Sequence, residues 1–217
     1  MKKWIFVFGF LIFSQSFLAQ AEPTGNKDVD FWLYYKRLVD AADSIQAKTK
    51  SVEFDTKSVF AEAKKLDTQS HPMFYFEKAQ EYYEKGKYNE SGFLNYLGKM
   101  RATDFNNCDL GYFAKGEKGH LLDESVYLFL SADVDNYKRI IQMAIDFYEK
   151  NPYTFLVKNA KGYKKQPVEN EYRELVKALS TIKPKDIAEI QEGRKEMIDR
   201  INEYYEAYKP AFEKKKK

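Results

Sequence analysis

The chain has 217 residues, with 36 basic and 33 acidic side chains, a formal charge of +3 and a single cysteine, Cys108. So even a balance speaks against whole-body attraction to nucleic acid, and one cysteine excludes an intramolecular disulfide, so stability has to come from packing. The packing material is aromatic: 17 Tyr and 17 Phe supply large side chains that serve cores and protein-facing surfaces alike.

Lys2 and Lys3 precede an apolar run from Trp4 to about Leu18, followed by Ala19-Gln20-Ala21. A short basic start, an apolar core too short to span a bilayer and a small-x-small site predict a signal peptide over residues 1–21, cleaved after Ala21. The expected protein is periplasmic or secreted, with no stable membrane span after cleavage. Removing residues 1–21 takes away Lys2 and Lys3 and no acidic group, leaving 196 residues with 34 basic and 33 acidic side chains. That length predicts a single helical domain over residues 22–210. Residues 211–217 form a lysine-rich tail, read as a solvated end.

Asp30 opens a first stripe of apolar residues at steps of three and four: Phe31, Tyr34, Tyr35, Leu38, Ala42 and Ile45. A second helix is predicted from Asp55, with Val59, Phe60, Ala63 and Leu66 on its inner side. His71-Pro72 opens a third, since proline suits a first helical turn, and Met73, Phe76, Ala79 and Tyr83 line it before Gly86. A fourth is predicted from Asn89 to Arg101. The stretch ATDFNNCDLGYFAKGEKGH then loses all period and reads as a long loop, a kind of segment that is often functional or mobile. A short helix follows near Leu121 to Leu130, then one from about Asp135 that ends at Asn151-Pro152. The polar link KNAKGYKKQP precedes a helix carrying Tyr172, Leu175, Val176 and Leu179. Asp186 with Glu189 resembles a capping box and starts a long last helix, Ile187 to Tyr208, ended by Pro210. Only Tyr153 to Val157, YTFLV, has a β-like composition, and it is short. The predicted class is all-α: a compact domain of about eight helices.

The stretch from Tyr75 to Arg101 places small residues at Ala79, Ser91 and Gly98, aromatics at Tyr82 and Tyr88, and a turn at Gly86. In this spacing it resembles one tetratricopeptide-like helical hairpin, in which small residues let two antiparallel helices approach. The proline expected after the second helix is replaced by Thr103-Asp104. No second copy is found, and an array needs roughly three to bury its faces. The hairpin is therefore expected to be a packing unit within a unique domain. The wider phrase, an aromatic-rich helical pair followed by an irregular loop, also loosely resembles small exported bacterial proteins that include toxin-neutralising immunity proteins. That resemblance implies a protein that works by occupying another protein's surface.

Motifs for chemistry are missing. Two histidines, His71 and His120, with one cysteine fit no common zinc spacing, so no metal is expected, and no cofactor motif is present. Gly111 to Lys118 has the glycine spacing of a phosphate-binding loop, but Glu117 stands where that loop needs lysine. No G-x-S-x-G occurs. Asp104, Asp109, Asp123, Glu124, Asp133 and Asp135 supply carboxylates, of which two could in principle form a catalytic pair; spacing alone favours solvated charges. Cys108 next to Asp109 is a poor nucleophile, because a neighbouring carboxylate raises its pKa.

The expectation is an exported, non-enzymatic protein whose partner is another protein, in its sharpest form a secreted toxin. Phe105, Asp109 and Tyr112 in the irregular loop are the candidate anchors, since exposed aromatics beside charges make interface hot spots. The same residues could instead pin the loop to the core. Two alternatives stand beside this one: an envelope adaptor that binds extended peptides next to the hairpin, and a helical enzyme acting on cell-envelope substrates.

Overall fold

The structure is a computed structural model that describes Leu33, Lys36, Asp40, residues 54–114 and residues 117–213. The predicted signal peptide, most of the helix predicted from Asp30, and Lys214 to Lys217 lie outside the described residues. Among the described residues the protein is all helical, with no strand. The helices are α1 (Thr56–Leu66), α2 (Met73–Glu84), α3 (Tyr88–Asn106), α4 (Glu117–Leu130), α5 (Val134–Lys150), α6 (Thr154–Asn159), α7 (Asn170–Ser180) and α8 (Pro184–Glu213). None is long and apolar enough to cross a membrane.

Helix starts follow local capping chemistry. Asp55 accepts a hydrogen bond from the Ser58 amide at 3.0 Å and so caps α1. Asp133 does the same for α5 through Asn136 N at 3.0 Å, which places the start one residue before the predicted Asp135. At the head of α2, His71 Nδ1 accepts from the Met73 amide at 3.2 Å. Helix α8 begins at Pro184, not at the predicted Ile187. The Asp186 carboxylate reaches back to the Lys183 amide at 3.1 Å, so Asp186 is the third helical residue of the cap rather than its first partner. At the other end α8 runs through Pro210 to Glu213. A proline removes its own amide donor and one hydrogen bond, and here a last turn still follows it.

Helix α3 is the axis of the fold. From Asn89 to Arg101 every residue but Lys99 is buried, although the helix is rich in polar side chains. Helix α2 packs along one side of it in a hairpin closed by Gly86, whose φ of +74° is the left-handed conformation that glycine adopts without strain. The helices meet closely where Gly98 lies against Tyr75 and Phe76: a Cβ on Gly98 would stand 2.8 Å from Tyr75 Cβ. Ala79 and Ser91 are fully buried in the same hairpin, and Tyr83 stacks edge-on to Tyr88 at 4.9 Å across the turn. Helix α5 covers another side of α3 with the predicted stripe of Tyr137, Ile140, Ile141, Ala144, Ile145 and Tyr148, all buried. Helices α1 and α4 close the remaining sides, and α7 packs on α5. Helix α8 docks on the end of α4, with Arg194 Nε donating to Leu128 O at 3.0 Å and Gln191 to Ser131 O at 2.7 Å. Lys36 of the N-terminal region sits 5.8 Å from the Tyr205 ring of α8.

The segment with β-like composition is helical: α6 spans Thr154–Asn159, with Tyr153 as its cap residue. No neighbouring strand is present among the described residues to pair with it. The predicted loop after Arg101 is also shorter than expected, because α3 continues through Asp104 and Phe105 to Asn106 and α4 starts at Glu117. In the missed turn the buried positions are Asp104 and Phe105 beside half-buried Ala102, Thr103 and Asn106, so a carboxylate stands where a helical period needs an apolar residue.

Candidate functional site

The polar residues of α3 each reach a different neighbour. Glu90 accepts from the Asp55 amide at the head of α1 (3.1 Å), and Asn89 accepts from Asn136 of α5 (2.8 Å). Asn95 donates to Asp123 of α4 at 2.7 Å, and Lys99 pairs with the same carboxylate at 2.9 Å. The last two turns carry Arg101 and Asp104, both with no exposed surface.

Arg101 is the cation of a sealed cluster. Its Nη2 donates to Asp67 Oδ2 at 3.0 Å and to Asn151 O at 2.9 Å, while Nε lies 2.8 Å from Asp67 Oδ1. Its Nη1 lies 3.6 Å from Asp104 Oδ2. The guanidinium carbon is 4.9 Å from the Tyr148 ring centroid and 5.7 Å from that of Tyr153, distances that favour cation–π attraction. Tyr75 Oη donates to Asp67 at 2.6 Å. Asp104 accepts from Tyr148 Oη (2.8 Å), Tyr163 Oη (3.0 Å) and the Gln166 amide (2.9 Å). One guanidinium thus faces two carboxylates. Burial raises the pKa of both Asp67 and Asp104 above the ordinary range, against the opposing pull of Arg101 and of the donors around them. Burial pulls the Arg101 guanidinium down, but Asp67 and Tyr75 more than offset this and hold its pKa above the usual value.

This arrangement ties several segments together. Asp104 ties the irregular 160–169 segment to the core, Arg101 joins the ends of α1 and α5, and neither carboxylate meets solvent. Asp123 is held by Asn95 and Lys99, Asp133 caps α5, and Asp109 and Asp135 are exposed. Burial pushes Glu124 up to about 7, away from the Arg101 cluster. Among the described residues no group of three or more His, Cys, Asp or Glu side chains gathers as metal ligands would. The Cys108 thiol donates to Asp104 O at 3.3 Å, and burial, then Asp104 and Asp109, raise its pKa, which disfavours thiolate chemistry.

Residues 107–114 form the loop, and it is pinned. The Asn106 side chain accepts from the Phe113 amide at 2.6 Å and donates to Phe113 O at 2.9 Å, mimicking a backbone pair. His71 meets Phe105 at 5.1 Å and Phe113 at 5.2 Å, both edge-on, and Phe76 stacks on Phe113 at 5.5 Å. Gly111, with φ +143°, turns the chain past the Phe105 ring, whose atoms lie 3.7 Å from where a Cβ would stand.

The three sequence-predicted anchors therefore separate. Phe105 belongs to α3 and is buried, so it holds the loop to the core and presents no face to a partner. Asp109 is exposed at the start of the loop, and Tyr112 projects with 78 % of its surface exposed. Sequence reasoning missed Leu110, which is 41 % exposed between them, and Met73 and Phe74 at the head of α2, also exposed. His71, two residues before Met73, touches Phe113, next to Tyr112, so the head of α2 and the loop adjoin there. A leucine inside a polar, glycine-containing loop was the available signal for Leu110. Nothing in the sequence signals the Arg101 cluster, since Asp104 reads as one of several solvated charges and Arg101 only as the end of a helix.

No family model matches the chain, and no curated protein or solved structure matches it either.

Proposed function

We propose that this protein is exported and acts by binding another protein, most concretely as an immunity protein that blocks a secreted toxic effector. The observation that carries this reading is Tyr112: a large aromatic exposed on a loop that is clamped by Asn106 and by the Phe105, Phe113 and His71 contacts. Holding an anchor in place before binding reduces the ordering cost of association, and a tight single-partner inhibitor needs this more than a promiscuous adaptor does. Leu110, Met73 and Phe74 add apolar area beside it, and Asp109 supplies a charge at its edge.

The burial of α3 favours this reading over the adaptor. Peptide-binding hairpins keep an open face for the peptide, whereas α3 is enclosed by α1, α2, α4 and α5. Sealing of Asp67 and Asp104 likewise weighs against an enzyme built on that pair.

The test is capture on the immobilised chain from extract and from cells expressing the neighbouring genes, followed by co-expression of any stoichiometric partner. Expected is one toxic partner whose toxicity the protein suppresses, with capture lost in the Leu110→Asp/Tyr112→Asp variant at unchanged thermal stability. A partner still captured by that variant, or a set of weak partners without toxicity, refutes the proposal.

A further inference from the structure

From Lys150 to Val168 the chain holds five lysines and no carboxylate, while the remaining residues carry 31 basic and 33 acidic groups. Beside the lysine-rich tail at 211–217, the 150–168 segment is thus the concentrated basic stretch inside a slightly acidic body. Lys78, Lys85, Lys99, Lys177 and Lys195 each face a carboxylate, whereas exposed Lys57 and Lys64 make no ion pair with any described residue but sit on α1 among carboxylates of its own sequence. Lys158, Lys161 and Lys164 are exposed and make no ion pair with any described residue. Lys165 is committed internally, since its Nζ donates to Glu149 O and Tyr148 O at the C-terminus of α5.

The basic turn is built, not loose. Gly162 adopts φ +72°, Tyr163 N donates to Ala160 O at 3.2 Å, and Tyr163 Oη and the Gln166 amide are both fastened to the buried Asp104. Val157, next to Lys158 on α6, exposes 54 % of its surface at the same place. The choice of residue narrows the partner. Specific ion pairs at protein interfaces favour arginine, whose planar fork grips carboxylates, and lysine is depleted there. Lysine is a hydrated point charge suited to a diffuse field of anions, and lysine clusters beside an apolar residue are the pattern of peripheral attachment to anionic lipid.

We infer that the 150–168 segment is a docking surface for an anionic bilayer, with Lys158, Lys161 and Lys164 over the headgroups and Val157 at their level. None of the described helices is long and apolar enough to cross a membrane, and the docking inferred is through this surface alone. This inference is independent of the partner proposed for Tyr112 and uses different residues.

The test is co-sedimentation of the full chain with vesicles of phosphatidylcholine alone and of equimolar phosphatidylcholine and phosphatidylglycerol. The difference between the two vesicle types reports the charge effect of all basic groups, the Lys214 to Lys217 tail included, and the lysine variants separate the turn from the rest. Expected is preferential binding to the phosphatidylglycerol vesicles, falling steeply with added salt. Each lysine near such a surface is worth about a fivefold change in affinity, so Lys158→Gln/Lys161→Gln/Lys164→Gln should weaken binding roughly a hundredfold. Its thermal midpoint should not move, because these lysines make no ion pair. A control of equal charge change, Lys177→Gln/Lys185→Gln/Lys195→Gln, should retain most of the binding. Equal binding to both vesicle types, or equal loss in the control, overturns the inference. So does retention on immobilised polyglutamate with the same lysine dependence and none on vesicles, which would assign the turn to an acidic protein.

Discussion

Three glycines in helices separate propensity from packing. Replacing a mid-helix glycine by alanine gains about 0.5–1 kcal/mol of helix propensity. At Gly193 in α8 nothing lies within 4 Å of the added methyl, so Gly193→Ala should show that gain in full. At Gly92 the methyl would meet Leu130 Cδ1 at 3.2 Å and Ile140 Cγ2 at 3.4 Å, side-chain ends that give by a few tenths of an ångström, so the two effects nearly cancel. At Gly98 it would stand 2.8 Å from Tyr75 Cβ and 3.3 Å from Phe76 Cζ. A Cβ cannot swing aside, so α2 and α3 must part. Overpacking of that kind costs about 1–3 kcal/mol. The shift also pulls Tyr75 Oη from Asp67, to which it donates at 2.6 Å, with the loss of a charge-assisted hydrogen bond worth roughly 1.5–3 kcal/mol. Packing wins, and Gly98→Ala should be destabilised by about 2 kcal/mol or more. Urea denaturation followed by far-ultraviolet circular dichroism measures all three. A Gly98→Ala chain as stable as the parent, beside a stabilised Gly193→Ala, would refute the close approach of the hairpin.

Arg101→Met leaves Asp67 and Asp104 without their cation and should cost about 3–5 kcal/mol in equilibrium unfolding; adding Asp67→Leu should recover part of it, since an uncompensated charge is worse than none. Both carboxylates have raised pKa in the folded state, so the native chain binds protons at a higher pH than the unfolded one. Their contribution is therefore fully present below the unfolded value, about 4, and is lost as pH rises through the folded values. Comparing urea midpoints at acidic and neutral pH should show the parent gaining on Asp104→Asn as pH falls; the opposite trend would contradict the burial of the cluster. Tyr163→Phe removes one donor from Asp104 and should loosen the basic turn, seen as faster tryptic cleavage after Lys161 and Lys164 with a global loss of roughly 1–2 kcal/mol.

The legibility of this fold in its sequence follows solvent contact. Helix α5 has one wet side and one dry side, and all six apolar residues read from its period are buried. Helix α3 has no wet side between Asn89 and Met100 apart from Lys99, so no period marked its full burial, and its last turn read as loop because buried Asp104 stands where an apolar residue was expected. Tyr153 to Val157 carried strand-like composition, but composition does not supply a partner strand, and the segment closes into a single helical turn and a half. At the candidate site Tyr112 was legible as an exposed loop aromatic. Phe105 was not separable from it, because burial depends on His71 and Gly111 meeting its ring, contacts set by tertiary structure.

A polar helix at the centre of a domain is an expensive way to gain stability, since buried ion pairs barely repay their desolvation. What it supplies is register. Glu90, Asn89, Asn95, Arg101 and Asp104 point in different directions and reach α1, α5, α4, the α1–α5 junction and the 160–169 segment in turn. Turning α3 by a single residue, about 100°, would strand every one of these groups at once, whereas an apolar helix of the same volume would tolerate the slip. The same logic explains why the aromatic loop leaves, and the 160–169 segment is fastened to, one turn of this helix. Asp104 clasps Tyr163 and the Gln166 amide through its carboxylate, and its carbonyl receives the Cys108 thiol at the entry to the pinned loop. The aromatic loop and the basic turn are thereby set relative to each other by a residue that is itself fully buried.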